Sequence, residues 1–250
     1  MATRRALVTG ASSGIGAAAA EGLAAAGYGL WLTYASDESG AEDTARRCAE
    51  IGAEVAISHL DLRSPSSIDS LTADVEKAWH SLHVLVNNGG VCPYQGYDEI
   101  SVGDWDAVME TNARGTFLLT RAMLPLLRAA GPDQDRSIVN VSSIAGQVGG
   151  IQTSLHYASS KAAILAITRS FARLLATEGI RVNAVCPGPV VSGITDQLSP
   201  SNRDALEAGV PLGRFGRPEE AAWVIESLAS PRASFVTGAT YDVNGGVRIT

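Results

Sequence analysis

Short β-rich runs alternate with longer amphipathic stretches along the whole chain, and this alternation constrains the fold more than any single motif does. The runs are RRALVTG (4–10), YGLWLTY (28–34), EVAISHLD (54–61), HVLVNN (83–88), SIVNVSS (137–143), GIRVNAVCPG (179–188) and ATYDVNGG (239–246). Helical apolar periodicity falls between them, at 14–26, 38–51, 66–80, 103–130, 154–177 and 218–229. A strand, a helix and a strand in succession build a parallel sheet covered on both faces. The fold class is therefore α/β: a doubly wound parallel sheet of about seven strands with helices on both faces.

No linker, charge run or low-complexity segment divides the 250 residues, and 46% hydrophobic residues supply one sizeable core, so 1–250 reads as a single domain. Residues 189–217 form the only long interval between a strand and the next helix, the kind of excursion that serves as a lid. A formal net charge of −7 argues against a broad grip on nucleic acid or an anionic membrane. Cys48, Cys92 and Cys186 are far apart and form no C-x-x-C, and His80 and His83 have no cluster of ligands around them, so neither a disulfide framework nor a metal site is expected. No stretch reaches the ~18 apolar residues of a membrane span, and Met1 leads through Arg4 and Arg5 directly into a strand. These features predict a cytoplasmic protein.

Two motifs carry chemistry. The first strand ends in VTGASSGIG, which places Gly10, Gly14 and Gly16 at a strand-to-helix turn, with Ser12, Ser13 and Ile15 between them. Glycines there let the backbone approach a pyrophosphate while the helix amides face its charge. In HYASSK (156–161), Tyr157 and Lys161 stand four apart and share one face of a helix. Alone, that spacing describes a common surface pair. Its meaning depends on the rest of the chain.

With T-G-x-x-x-G-I-G (9–16), N-N-G-G (87–90) and Y-x-x-x-K (157–161) in this order, the chain resembles the short-chain dehydrogenase/reductase family over essentially its whole length. FVTGATYDVNGG (235–246) adds a resemblance to the 3-oxoacyl-acyl-carrier-protein reductase branch. The resemblance implies a Rossmann-like fold and a nicotinamide dinucleotide. It gives Asp61, followed by Leu62, the adenine amino group, although an ordinary turn acid explains Asp61 equally well. Asn88 and Gly89 would lie beside the adenine ribose, with Gly89 standing where the family usually has alanine. Pro187, Gly188, Val190 and Ser192 would meet the nicotinamide carboxamide, Ser192 replacing the usual threonine, and 189–217 would be the substrate lid. Ser143 matches the serine that holds the substrate. The interval from Ser143 to Tyr157 is one residue longer than in many members, which keeps Ser142 as the alternative. Asn112 matches the asparagine that holds a water linking Lys161 to solvent; otherwise it is a solvated helix residue.

Reducing a ketone requires hydride at carbon, a proton at oxygen and a group to hold the developing alkoxide. A tyrosine can give that proton. Lowering its pKa from ~10 by three units takes roughly 4 kcal/mol, which an ammonium ~4 Å away supplies at an effective dielectric near ~20. Lys161 is thus expected to depress the Tyr157 pKa. The reading is a reductase of a 3-oxoacyl thioester or a similar small-molecule or carrier-bound carbonyl. The alternatives are an alcohol, sugar or steroid dehydrogenase, and a dinucleotide sensor without catalysis.

NADP(H) is favoured over NAD(H), because Tyr34 stands where NAD-selecting members place an aspartate. Only Ser36, Ser12 and Ser13 offer donors to a 2′-phosphate, against the charges of Asp37 and Glu38. An acidic carrier protein would need a basic patch, for which Arg114, Arg169, Arg173, Arg214 and Arg217 are candidates. Phe117, Leu118, Leu165 and Phe171 exceed one apolar stripe on their helices, and family members pair these helices, so a homotetramer is expected.

Overall fold

In the computed structural model, which describes residues 4–150, 153–193, 195 and 198–249, each β-rich run forms a strand. These are β1 (Arg4–Val8), β2 (Tyr28–Tyr34), β3 (Val55–His59), β4 (Val84–Asn87), β5 (Arg136–Val141), β6 (Ile180–Pro187) and β7 (Thr240–Val243). All pair in parallel in one sheet, ordered β3-β2-β1-β4-β5-β6-β7. The order reverses at the β1/β4 junction, and an open parallel sheet presents its ligand crevice there, beyond the carboxyl ends of the strands.

Side-chain alternation along the central strands divides the core into two halves. Ala6 and Val8 of β1, with Val84 and Val86 of β4, pack on one face. That face is covered by helices α1 (Gly14–Ala25) and α9 (Pro218–Ala229), through Leu23, Ile225 and Leu228. Leu7, Leu85 and Ile138 point to the other face, beneath α3 (Pro65–Trp79), α5 (Gly115–Ala129) and α7 (Leu155–Leu175). Helix α2 (Glu38–Ile51) follows β2 and ends at Gly52, whose φ of 105° only glycine adopts readily.

The helix expected over 103–130 is interrupted. It is built from α4 (Val102–Met109), a π-turn (Glu110–Arg114) and α5, so the apolar periodicity correctly marked a helix but missed the break. The π-turn inserts without breaking the polarity pattern. It carries Asn112, fully buried, whose Oδ1 accepts from Val91 N–H at 2.8 Å and whose Nδ2 donates to Val91 O at 2.9 Å. Asn112 is therefore not a solvated helix residue. A second difference concerns Leu165, which packs inside against Ala184 and Cys186 and cannot contribute to a subunit face.

A buried polar chain ties the sheet to α5 and α7. Asn87 Nδ2 donates to Thr120 Oγ1 at 3.0 Å and to Asn140 Oδ1 at 2.8 Å, and Asn140 Nδ2 donates to Thr168 Oγ1 at 2.9 Å. Although Asn87 Oδ1 itself has no partner, these cross-linking hydrogen bonds constrain the register of the elements that they join. Here they fix α7, which carries Tyr157 and Lys161.

Candidate active site

The turn after β1 is shaped by steric necessity. Gly10 and Gly14 have φ of 63° and 56°. A Cβ on Gly16 would lie 2.2 Å from Gly10 O, so α1 can press on the turn only with glycine there. Asn88 Nδ2 clamps the turn from β4, donating to Thr9 O at 2.9 Å and Gly10 O at 3.0 Å, while Gly89 N–H donates to Thr9 Oγ1 at 2.8 Å. A Cβ on Gly89 would stand 3.2 Å from Leu62 Cδ1, so Leu62 backs this segment. Ser13 caps α1 through its backbone only, and no acidic side chain occupies the first turn. The positive end of the helix is thus left to an anion, and the close-packed glycines leave room beside it, which fits the pyrophosphate of a dinucleotide.

The adenosine side differs from a simple reading of its residues. Asp61 Oδ1 accepts from Arg63 N–H at 2.9 Å, and its carboxylate also pairs with the Arg63 side chain, which holds it below the usual carboxylate range. Asp61 therefore makes a local turn contact with Arg63, while its side chain stays partly exposed. At the end of β2, Tyr34 Oη donates to Glu38 Oε1 at 2.6 Å, Ser12 Oγ donates to Asp37 O at 2.8 Å, and Asp37 Oδ1 caps α2 by accepting from Gly40 N–H. Ser36 is exposed beside them.

At the centre lies a cavity of about 170 Å³, open to solvent, between the carboxyl ends of β4, β5 and β6. Ser143, Tyr157, Lys161, Ile15 and Asn88 line it together with the Pro187–Ser192 segment. Gly188 N–H donates to Val243 O at 2.9 Å, and Ser192 stands over Gly14, where a Cβ would be 3.6 Å from Ser192 Cβ. Val190, Ser192, Thr195 and Leu206 bring part of 189–217 into the wall, which includes helix α8 (Pro200–Ala208); residues 194, 196 and 197 lie outside the described residues.

The two serines differ in placement. Ser143 lies beside the Tyr157 phenol, where it acts to lower the phenol pKa, whereas Ser142 Oγ donates to Lys161 O at 2.8 Å. Ser143 Oγ also accepts from Ala145 N–H at 3.1 Å, at the start of the short helix α6 (Ala145–Val148). The longer interval to Tyr157 falls in the loop after α6, of which 151 and 152 lie outside the described residues.

Lys161 Nζ donates to Val141 O at 2.9 Å and sits 5.7 Å from the centre of the Tyr157 ring. Burial lowers its pKa from 10.5 to about 8, with Cys92 and Cys186 opposing. The net depression of the Tyr157 pKa expected from Lys161 is not found. Burial, reinforced by Cys92, pushes the phenol above its ordinary 10, and the neighbouring Ser143 only partly offsets this. The phenol therefore holds its proton.

Two neighbours of Tyr157 escaped the sequence reading. Cys92 packs against the Tyr157 ring and is itself pushed up to about 12 by burial, and Tyr94 packs against the same cluster. Both follow NNGG directly, and that position was the available signal.

Comparison with known proteins places this site in context. The model of the family described as Enoyl-(Acyl carrier protein) reductase matches residues 10–248. The chain is 37% identical over 242 residues to 3-oxoacyl-(acyl-carrier-protein) reductase FabG of Vibrio cholerae, covering 97% of this chain and 96% of the relative. It is 35% identical over 246 residues to the protein of the same name from Staphylococcus aureus, covering 98% of each. A crystal structure of a dehydrogenase/reductase from Sinorhizobium meliloti 1021 superimposes with a TM-score of 0.92 at 30% identity, covering 100% of this chain and 96% of that one.

Proposed function

The chain belongs to the short-chain dehydrogenase/reductase family, and on that premise we propose that it is an NADP(H)-dependent reductase of a 3-oxoacyl thioester or a similar ketone. It is an oxidoreductase acting on a carbonyl/alcohol couple. The observation that carries the finer reading is the meeting of Ser143, Tyr157 and Lys161 in one mostly apolar cavity that Ile15 of the glycine turn also lines.

A bound nicotinamide dinucleotide would supply the hydride. Gly10, Ser12, Ser13, Gly14, Ile15 and Gly16 would hold its pyrophosphate at the α1 terminus, Asn88 and Gly89 the adjoining ribose, and Pro187, Gly188, Val190 and Ser192 the carboxamide. Ser143 donates to the carbonyl oxygen and Tyr157 gives it a proton. Lys161 stabilises the phenolate left behind, and Asn112 orders the relay behind Lys161. Residues 189–217 serve as the lid over the substrate. A sensor without catalysis would have no use for a serine beside a buried, proton-holding phenol.

The relatives named 3-oxoacyl-(acyl-carrier-protein) reductase support a carrier-bound substrate. Of the cations considered for docking a carrier protein, Arg114 pairs with Glu110, and Arg214 and Arg217 pair with Glu220. A turnover screen with 3-oxoacyl thioesters, free ketones, sugars and steroids tests the reading. Reduction confined to sugars or steroids would reject it.

The NADP(H) assignment rests on the absence of a free acid at the end of β2. Glu38 is engaged by Tyr34 and Asp37 by the α2 cap, and neither is aimed at a ribose by a partner. Ser12, Ser13 and Ser36 are neutral donors worth about 0.5–1.5 kcal/mol each, so the preference in kcat/KM should be modest, roughly 3- to 10-fold. Kinetics and fluorescence titration with both nucleotides check this, and a preference for NAD(H) would reverse the assignment.

A homotetramer is the proposed assembly. Phe117 stacks on Phe171 with ring centroids 6.1 Å apart at the surface of α5 and α7, and Leu155 and Leu174 are exposed on α7. Symmetric pairing of these helices would bury this apolar surface. Light scattering at micromolar concentration should report four chains, and a monomer throughout would reject the assignment.

A further inference from the structure

Ser143 leads into α6, a single turn too short to hold itself in place, and Ala145, Gly146 and Val148 give it no polar side chain. On its inner side a Cβ on Gly146 would lie 2.6 Å from Lys161 C, so α6 rests directly on the backbone of α7. Gln147 supplies the outer tether: its Nε2 donates to Asp242 Oδ1 of β7 at 2.8 Å. Gln147 Oε1 stays buried without a partner, a cost that a bond to a carboxylate offsets. The other oxygen of that carboxylate is engaged from the C-terminal segment, where Arg248 Nη1 donates to Asp242 Oδ2 at 2.7 Å. This segment is part of the substrate wall. Val247 lines the active-site cavity, and Asn244 Nδ2 donates to Arg248 O at 3.2 Å, which closes the turn around Val247. The base of the lid rests on the same turn, since Leu212 N–H donates to Gly245 O at 3.1 Å and a Cβ on Gly246 would stand 3.2 Å from Pro211 Cβ.

We infer that Asp242 is a positioning residue for the reaction, holding the Ser143 turn with one carboxylate oxygen and the Val247 wall with the other. The inference rests on the reductase reading of the site. Ser143 has to stand at hydrogen-bond distance from the carbonyl oxygen when hydride arrives, and a misplacement of ~1 Å can cost about 10²-fold in rate. Releasing Gln147 frees the outer end of α6, so its effect falls on the reacting oxygen and appears in kcat. Releasing Arg248 loosens Val247 and the base of the lid, so its effect falls on substrate contact and appears in KM. Asp242 does not line the cavity and acts only through these two arms. Its pair with Arg248 is partly exposed, and such pairs contribute little to folding stability, so both effects are separable from unfolding.

The test measures reduction of acetoacetyl-CoA or, where that thioester is not turned over, of the best ketone from the screen above. Gln147→Ala should lower kcat roughly 5- to 10-fold with KM within about twofold, and Arg248→Ala should raise KM roughly 3- to 10-fold with kcat within about twofold. Asp242→Ala should show both effects, and adding Gln147→Ala or Arg248→Ala to it should change neither parameter further, as expected of groups that share one interaction. Conservative variants separate positioning from bulk. Arg248→Lys keeps the charge and should hold KM within about twofold of wild type. Gln147→Glu sets two carboxylates against each other and should lower kcat at least as far as Gln147→Ala; combining it with Asp242→Asn, which restores a donor between them, should recover kcat. Melting temperatures of the single variants should stay within about 3 °C of wild type. Wild-type kcat in Gln147→Ala or wild-type KM in Arg248→Ala would overturn the inference. So would the same loss in kcat and KM in every variant together with a lower melting temperature, which marks a defect of the fold. A wild-type protein that reduces no carbonyl compound would instead overturn the proposed function.

Discussion

Tyr157→Phe is expected to lower kcat for carbonyl reduction by roughly 10²–10⁴ while nucleotide affinity stays within about twofold. The ring remains and continues to pack on Cys92, Ala145 and Ala158, so only the hydroxyl is lost. The protonation states set the pH dependence. A phenol pushed above 10 is protonated across the neutral range, so the proton donor is in place throughout. Lys161 has its pKa lowered to about 8 and therefore loses its charge as pH rises through that value. Wild-type reduction should accordingly be level near neutrality and decline above about pH 8, with the decline belonging to the coupled site as a whole. Alcohol oxidation requires the phenolate and should climb with pH only above about pH 10, where the raised phenol begins to ionise. Near-normal turnover by Tyr157→Phe on a good substrate would remove the phenol from the mechanism and return Tyr157 and Lys161 to the status of a helix pair.

The legible parts of this molecule are those that repeat or that several residues specify together. Strands buried on both faces have to be apolar, and seven such runs separated by helices admit little besides a parallel sheet. The glycine turn was readable because one Cβ at Gly16 would meet Gly10 O, a restriction that no other residue satisfies. The break at Glu110–Arg114 was hidden because a π-turn adds a residue without altering the apolar stripe on either side. Asp61 shows the opposite limit: its carboxylate is engaged by Arg63, two residues away, a local contact that a motif match does not register. The sign of the Tyr157 shift was misjudged because it depends on burial by Cys92 and its neighbours, which come from another strand end. Asp242 carries no spacing signal at all. It became visible only when α6 and the C-terminal segment met at its two oxygens.

Lys161→Met is expected to abolish measurable turnover, a loss of at least about 10²-fold, while making the fold more stable at pH 7. The two effects have one cause. An ammonium with a pKa of about 8 in the folded chain and 10.5 in the unfolded chain binds its proton more weakly when folded, so the unfolded state gains on protonation. The stability associated with the neutral amine is complete above pH 10.5 and is lost as pH falls through about 8. At pH 7 the deficit is on the order of 3 kcal/mol. Methionine approximates the volume and carries no charge, which removes that deficit but leaves Val141 O without its donor at about 1–3 kcal/mol. A net gain of about 1 kcal/mol corresponds to a rise of roughly 2–4 °C in melting temperature for a chain of this size. The gain should shrink toward pH 9.5, where the wild-type amine is itself mostly neutral in the folded state. A variant that melts well below wild type at pH 7 and shows the same difference at pH 9.5 would mean that the Lys161 side chain supports the fold independently of its charge, through packing and its bond to Val141 O. The cost borne by wild type would then not be one of keeping a charge beside Tyr157.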